Sequence, residues 1–254
     1  MKLVVKFGGT SLATVKEIKN VVKTVDKISK KNKTVVVCSA VDDITDQLIQ
    51  ISSLIKKGNK KDANRILAKI SQKHKQFADH LISNPKILKM LQNKLNSDLS
   101  ELEKLVQGLI LLGEVTPRSY DYLISFGEKL SIVLVSFSLQ EMKNKSVPLS
   151  GKEAGIVTDS NFGDSRPLMD TTRIRLSKTI NEHLAKNTIP VIAGFAGVDQ
   201  HDHTTTFGRG GSDYTATIIA SCIDADEIWL MSDVDGMMTA DPKFVKEAKL
   251  LKEI

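Results

Sequence analysis

A lysine stands beside a pair of glycines near the start of the chain. Lys6 is the penultimate residue of an apolar run, and Phe7, Gly8, Gly9 and Ser11 lie in the turn before a helical pattern begins. Glycines at a strand-to-helix turn let backbone N–H groups approach an anion, although many α/β proteins need such a turn for packing alone. A neighbouring lysine is a fixed cation that could stabilise a phosphoryl group in transfer. The residues indicate phosphate chemistry outside a P-loop, because the chain has no GxxxxGK(S/T) sequence.

A second glycine-rich segment covers residues 204–216 and runs into an apolar helical pattern. Ser212 and Asp213 fall at the predicted start of that helix, and a capped helix after a flexible loop would explain both without a function. Three glycines, several hydroxyls and Arg209 are more than a cap needs. We therefore interpret the segment as a loop that binds substrate and phosphate.

The third segment, residues 229–243, is an apolar strand pattern that breaks into an acidic, turn-rich loop. Its Asp-Gly and Asp-Pro pairs are common turn formers, which accounts for about half of these residues. Loops at the carboxyl ends of parallel strands are nevertheless where α/β sheets bind ligands.

Four short apolar runs rich in β-branched residues predict buried strands, at residues 3–7, 34–38, 189–193 and 228–231. Apolar residues at three- and four-residue spacing between 12 and 25 predict a helix after the first run, with Thr10 and Ser11 available to cap it. This strand–helix–strand order returns near the C-terminus. The pattern predicts an α/β fold with a mostly parallel central sheet sandwiched by helices.

Residues from about 45 to 140 carry an almost continuous helical pattern and predict a long helical insertion. His74 falls within an apolar stripe of this segment. Since no second metal-type residue lies one turn away, we interpret it as a packed, hydrogen-bonded core residue.

Composition bounds the function classes. The 254 residues have a net charge of +6, and a lysine cluster at residues 56–61 lacks the interleaved aromatics of a nucleic-acid site, so it indicates a solvated face. Cys38 and Cys222 are far apart and match no metal or disulfide spacing, which favours a reducing compartment. Without a signal peptide or a run of membrane-spanning length, we expect a cytoplasmic protein with no membrane or nucleic-acid partner.

Together the segments resemble the amino-acid kinase superfamily, and specifically the aspartate kinases. The resemblance covers essentially the whole chain, in the family's order. It rests on KFGGTS at 6–11, SFGEKLS at 125–131, NFGDSR at 161–166, GRGGSD at 208–213 and SDVDGMMTADP at 232–242, which is similar to the family's TDVxGxYTxDP.

The resemblance implies an amino-acid kinase catalytic domain over residues 1–254, with the family's regulatory domains absent from this sequence. It implies a phosphotransferase with a carboxyl acceptor, which moves the γ-phosphoryl of ATP to the β-carboxylate of L-aspartate and gives 4-phospho-L-aspartate and ADP. That is the first step of lysine, threonine and methionine biosynthesis. ATP, Mg²⁺ and assembly as a homodimer are implied as well. The substrate carboxylate is ionised at neutral pH, since its ordinary pKa is about 4, so no protein base is required.

Carried over residue by residue, the resemblance assigns catalysis to Lys6 and Asp213, with Lys6 on the transferring phosphoryl group. Glu128 would pair with the α-ammonium of the substrate and Arg166 with a carboxylate. The implied substrate-binding residues are Ser39, Thr45, Glu128, Phe162, Arg166, Arg209, Gly210 and Ser212. The implied nucleotide-binding residues are Lys6, Gly8, Gly9, Ser11, Gly211, Ser232, Asp233, Met238, Asp241 and Lys243. No protein-bound metal site is implied.

The chain departs from the family pattern at several positions. Met238 replaces a common tyrosine and so removes an aromatic contact, Ser232 replaces a threonine, and Lys243 replaces an arginine and loses its bidentate fork. Two alternatives stay open at this point. One is another member of the superfamily, of the glutamate or carbamate kinase type, and the other is a non-catalytic fragment or subunit of an aspartate kinase.

Overall fold

The central sheet of the computed structural model is fully parallel. The structure describes residues 1–231, 236, 239–240, 245 and 247–249. The strands in this part of the chain are β1 Lys2–Phe7, β2 Lys33–Cys38, β3 Ser146–Leu149, β4 Ile189–Ala193, β5 Ala196–Val198, β6 Thr204–Thr206 and β7 Glu227–Met231. The sheet order is β3-β4-β2-β1-β7, and every neighbouring pair is parallel. The predicted α/β class is confirmed, and β5 and β6 form a separate antiparallel hairpin.

Helices cover both faces of the sheet. Their bounds are α1 Val15–Ser29, α2 Ile44–Lys56, α3 Lys60–Leu81, α4 Pro85–Leu112, α5 Pro117–Ile124, α6 Phe126–Glu141, α7 Gly151–Ala154, α8 Met169–Ala185 and α9 Gly211–Ile223. Side chains alternate along β1, so Leu3 and Val5 join the apolar core with α1–α6, whereas Val4 joins the core with α8 and α9. Burial on both faces explains why the strands are continuous apolar runs.

Five helices, α2–α6, lie between β2 and β3. The contiguous stretch Pro117–Glu141 is, by length and composition alone, apolar enough to cross a membrane. However, 83% of its most apolar window is buried in the fold, so it serves here as a core element. His74 on α3 is fully buried with Nδ1 2.8 Å from the Ile70 carbonyl oxygen, as the apolar stripe predicts. Both cysteines are buried and free.

The predicted cap of the first helix is wrong. Thr10 and Ser11 belong to a separate 3-10 turn, Thr10–Leu12, and α1 begins only at Val15. Thr14 is its cap, because its side chain accepts from the backbone N–H of Glu17. The glycine turn therefore leads into one tight turn before the helix.

Candidate active site

The carboxyl ends of β1, β2 and β4 meet at one edge of the sheet. Phe7 is in register with Cys38, and Cys38 with Ala193. Beyond the strands, the Ser39 N–H donates to the Phe7 carbonyl at 3.0 Å, and the Gly194 N–H donates to the Cys38 carbonyl at 2.9 Å. Three chain segments therefore leave the sheet side by side, at the edge where parallel sheets bind ligands.

An ion pair marks the centre of this edge. The Lys6 Nζ lies 2.7 Å from Asp213 Oδ1, and Asp213 is in the first turn of α9. The lysine side chain is 13% exposed and the aspartate side chain 48% exposed. The Lys6 ammonium is therefore largely buried, but an anion that enters the site could still reach it.

Two glycines, Gly8 and Gly9, shape the turn beside Lys6. Gly8 leaves the space next to the Lys6 ammonium free of a side chain, and Gly9 allows close packing against Ala40. A Cβ at Gly8 would lie 3.7 Å from Lys6 Nζ, and a Cβ at Gly9 would lie 3.3 Å from the Ala40 carbonyl oxygen. Gly9 has an ordinary helical φ of −59°, so close packing and not backbone freedom explains this residue. Ser11, in the 3-10 turn, is half-buried beside them.

The start of α9 packs on the end of β4. A side chain at Gly194 would place its Cβ 2.7 Å from the Cβ and Oγ of Ser212, so only glycine allows this approach. A Cβ at Gly211 would lie 2.8 Å from the Phe195 ring, and the Gly211 N–H already donates to the Gly208 carbonyl. The structure thus gives Gly211 a packing role and brings Ser212 and Asp213 to the site.

Glu128 is a buried carboxylate at the same edge. It lies in the first turn of α6, is 4% exposed, and its Oε1 accepts from the Ala40 N–H at 3.2 Å. Its Oε2 is buried and has no hydrogen-bond partner in the described part of the chain. A Cβ at Gly127 would lie 2.8 Å from the Ala40 Cβ and 3.4 Å from Thr45 Oγ1, so glycine here lets α6 approach the end of β2.

Desolvation raises the pKa of Glu128 from 4.5 to about 8. A buried carboxylate with one free oxygen requires a cation or a proton. Ser39 lies next to it, and its carbonyl oxygen accepts from Ser131 Oγ on α6 at 2.7 Å. The arrangement of Glu128, Ser39 and Thr45 therefore suits a ligand ammonium group.

We expect the ligand-free protein to lose stability as pH rises from 4.5 to about 8. Between these values Glu128 is protonated in the folded chain but ionised in the unfolded chain, so unfolding releases a proton. Each pH unit then lowers the free energy of unfolding by up to about 1.4 kcal/mol. Urea unfolding of the parent and of Glu128→Gln at several pH values measures it. Parallel stability profiles of the two proteins would contradict the assignment.

Two loops with exposed arginines contact each other near the start of α9. We call residues 158–167 the arginine loop and residues 207–210 the glycine loop. A side chain at Gly208 would place its Cβ 3.1 Å from the Gly163 carbonyl oxygen, so the loops touch. Arg166 and Arg209 are both exposed, and Phe162 is half-buried. Gly210 has a φ of 77° and caps α9, which a residue with a side chain would do only under strain.

Asp121 on α5 was not predicted from the sequence. It is fully buried, and both of its carboxylate oxygens accept hydrogen bonds. The donors are Gly163 in the arginine loop and Thr206, which directly precedes the glycine loop. Burial raises its pKa, and the hydrogen bonds act in the opposite direction. In the sequence, Asp121 is a single acidic residue in a short helix, and its hydrogen-bond partners Gly163 and Thr206 are far away in the chain. No local pattern therefore marks it.

The third predicted segment falls largely outside the described residues. Ser232, Asp233, Met238, Asp241 and Lys243, predicted to bind nucleotide, are all in this undescribed part. The strand that leads to them, β7, pairs with β1, and Leu230 is in register with Lys6.

An open cleft of about 960 Å³ reaches Ala193 at the end of β4 but is lined by none of the predicted site residues. Arg118, Lys129, Gly151 and His203 are among its lining residues. Lys129 lies 2.5 Å from Glu101 and so already has a counter-charge. We place the chemistry at Lys6 and Glu128 instead, because charged groups converge there with an unsatisfied buried oxygen.

The site thus combines a cation that an anion could reach, a helix N-terminus and a separate carboxylate suited to an ammonium group, which are features that phosphoryl transfer to an amino acid would require. The model of the amino acid kinase family matches residues 1–254. The chain belongs to the amino acid kinase family.

Among its relatives are aspartokinases. The chain is 32% identical over 254 residues to the aspartokinase of Geobacillus stearothermophilus, covering 99% of this chain and 47% of that protein. It is 30% identical over 253 residues to that of Rickettsia prowazekii (strain Madrid E), covering 99% and 44%. The crystal structure of E. coli aspartokinase III in complex with aspartate and ADP (R-state) matches with a TM-score of 0.86 and 25% identity, covering 99% of this chain and 53% of that one. The chain thus spans about half the length of these relatives.

Proposed function

We propose that this chain is the catalytic part of an aspartate kinase, which transfers the γ-phosphoryl of ATP to the β-carboxylate of L-aspartate. The observation that carries the proposal is that Glu128, bonded to Ala40 just beyond β2, and the Lys6–Asp213 pair lie at the same edge of the sheet. One group suits an α-ammonium and the other suits a phosphate, at the same edge of one sheet. The aspartate and ADP in the related E. coli structure support this choice of ligands.

The chemistry follows from charge. The acceptor β-carboxylate is ionised at neutral pH, so attack on the γ-phosphorus needs no proton removal. Two anions must nevertheless approach each other. Lys6, at the end of β1, offsets their repulsion and stabilises charge on the transferring group, while Asp213 holds the Lys6 ammonium in place. Positioning and fixed cations then supply most of the catalysis.

The two ends of the amino acid are held by groups of opposite charge in this proposal. Glu128 receives the α-ammonium at its free Oε2, and Ser39 and Thr45 line the same corner. Arg166, exposed on the arginine loop, grips the α-carboxylate through two parallel hydrogen bonds. Phe162, Arg209, Gly210 and Ser212 complete the acceptor side.

ATP would bind at the glycine turn that contains Gly8 and Gly9. The described residues hold no group of three or more His, Cys, Asp or Glu side chains that could bind a metal by themselves. This fits Mg²⁺, which usually binds through nucleotide phosphates and water with one or two carboxylates. Asp213 is a half-exposed carboxylate at the site that could be one of these metal ligands. When bound, the metal neutralises phosphate charge.

In this proposal the chain assembles as a homodimer in the cytoplasm, as the resemblance of its sequence motifs to the aspartate kinases implies, and the reaction product is an acyl phosphate.

A coupled ADP-release assay with a panel of acceptors tests the proposal. We expect turnover with L-aspartate and much less with L-glutamate, because one extra methylene misplaces a carboxylate whose other end is fixed at Glu128. The panel also contains carbamate and D-aspartate. Equal turnover with glutamate, or turnover with carbamate alone, would assign the chain to another activity within its family. ATP binding without turnover of any acceptor would instead support a non-catalytic subunit.

A further inference from the structure

Thr206 connects three segments of the acceptor side. Its N–H donates to Asp121 Oδ2 at 2.8 Å and its hydroxyl donates to Asp121 Oδ1 at 3.0 Å. Its carbonyl oxygen accepts from both the N–H and the hydroxyl of Ser165, each at 2.9 Å. Thr206 is the last residue before the glycine loop, and Ser165 directly precedes Arg166. The network therefore fixes Thr206, which precedes the glycine loop, and Ser165, which precedes Arg166 within the arginine loop.

Asp121 also bonds directly to the arginine loop, three residues before Arg166. Its Oδ2 accepts a second hydrogen bond, from the Gly163 N–H at 2.9 Å. One carboxylate thus satisfies donors from the arginine loop and from β6, and it does so at zero solvent exposure. Such a group contributes more than an exposed hydrogen bond, because leaving its partners unpaired in the interior has a high free-energy cost.

The helix that bears Asp121 leads directly into the helix that bears Glu128. Ser125 ends α5 and precedes Phe126, the first residue of α6. Asp121 is therefore held close in the chain to Glu128, the proposed ammonium site. Its hydrogen bonds to Gly163 and Thr206 then fix the positions of both loops relative to these two helices.

We propose that Asp121 is a positioning residue, which fixes the arginine loop and the glycine loop at a set distance from Glu128 and so shapes the amino-acid pocket. The effect on substrate rests on the proposed function, whereas the effect on the loops does not. Asp121 acts through Gly163 and Thr206.

Two substitutions separate geometry from charge. In Asp121→Asn the amide oxygen can accept from both N–H groups, and the amide nitrogen can donate to the Thr206 hydroxyl, which is also an acceptor. Asp121→Ala removes all three bonds. Asp98→Ala is the matched control, since Asp98 is 2% exposed but pairs with Lys94 on its own helix, α4, and with Lys129 on α6.

We expect Asp121→Ala to raise the KM for aspartate about tenfold or more, as misplacement of a binding group does, and to change the KM for ATP by less than about twofold. Asp121→Asn should restore most of the aspartate KM. Amide hydrogen exchange should show faster exchange at Gly163 and Thr206 in Asp121→Ala, and near-parent rates in Asp121→Asn. The Asp98→Ala control should lower the melting temperature and leave both KM values near those of the parent.

Equal changes in both KM values, or a profile like that of Asp98→Ala, would show a merely structural residue and overturn the proposal. So would unchanged aspartate kinetics in a folded Asp121→Ala protein. If Asp121→Ala does not fold, Thr206→Val decides, because it removes one hydrogen bond only: a several-fold rise in the aspartate KM alone supports the proposal, and no change refutes it. If the parent does not phosphorylate aspartate, the proposed function fails, and exchange at Gly163 and Thr206 still decides whether Asp121 fixes the loops.

Discussion

Replacing Lys6 with alanine should reduce kcat by about a hundredfold or more, as removal of a comparable electrostatic stabiliser does in other enzymes. Among the residues that the structure describes, Lys6 places a cation at the centre of the site. Its ammonium lies beside Asp213 at the carboxyl end of β1. The loss should appear in kcat more than in either KM, because the charge it stabilises is greatest in the transition state. Steady-state ADP release at saturating ATP and aspartate measures it.

The fold should survive this substitution. Asp213 is half-exposed, so the loss of its partner leaves a carboxylate that water can solvate. Lys33→Ala is a suitable control, since Lys33 is exposed at the opposite, amino end of the sheet. A folded Lys6→Ala protein with kcat near that of the parent and of Lys33→Ala would falsify the role of Lys6.

Glu128→Gln should weaken aspartate binding at least tenfold and leave ATP binding close to unchanged. Glutamine keeps the shape and can still accept from the Ala40 N–H, but it cannot offer a charged oxygen to the ammonium. A hydrogen bond to a charged group contributes about 1.5–3 kcal/mol. Calorimetric titration of each ligand measures the two affinities separately.

The pH dependence of binding gives the same variant a second test. Glu128 must lose its proton to pair with an ammonium, so aspartate affinity in the parent should increase as pH approaches about 8, and it should be flat in Glu128→Gln. Glu141→Gln, at the far end of α6, is the control, because Glu141 accepts from backbone N–H groups at Ser83 and Asn84. An equal loss of affinity for ATP and aspartate in Glu128→Gln would make Glu128 a general structural residue.

The strands of the central sheet were predictable where burial on both faces demanded apolar β-branched residues. The runs within β1, β2 and β4 were found in this way. The run within β7 was found from the same composition, although Glu227–Leu230 are exposed in the structure. The two strands of the β5–β6 hairpin, Ala196–Val198 and Thr204–Thr206, carry no such signal, because they are short and lack an alternating pattern. Thr14 was overlooked as a cap since the 3-10 turn before it has no signal of its own in the sequence.

The site was predictable in its parts and not in its connections. Lys6 and Asp213 were each expected from their glycine-rich surroundings, and the structure brings them into contact. Asp121 could not be found in this way. Its partners are backbone N–H groups at Gly163 and Thr206, and a backbone donor leaves no mark in the sequence. Only the fold brings them together.

The central position of β1 has a consequence for synthesis of the protein on the ribosome. The neighbours of Lys6 in the sheet are Val37 on one side and Leu230 on the other. Leu230 and the ionic partner Asp213 are both synthesised much later than Lys6. Until the last strand leaves the exit tunnel, one edge of β1 has no partner, and such unpaired edges associate readily with other chains. Nascent chains stalled after α8 should therefore bind chaperones that hold exposed strands, and should gain resistance to protease only when β7 has been made.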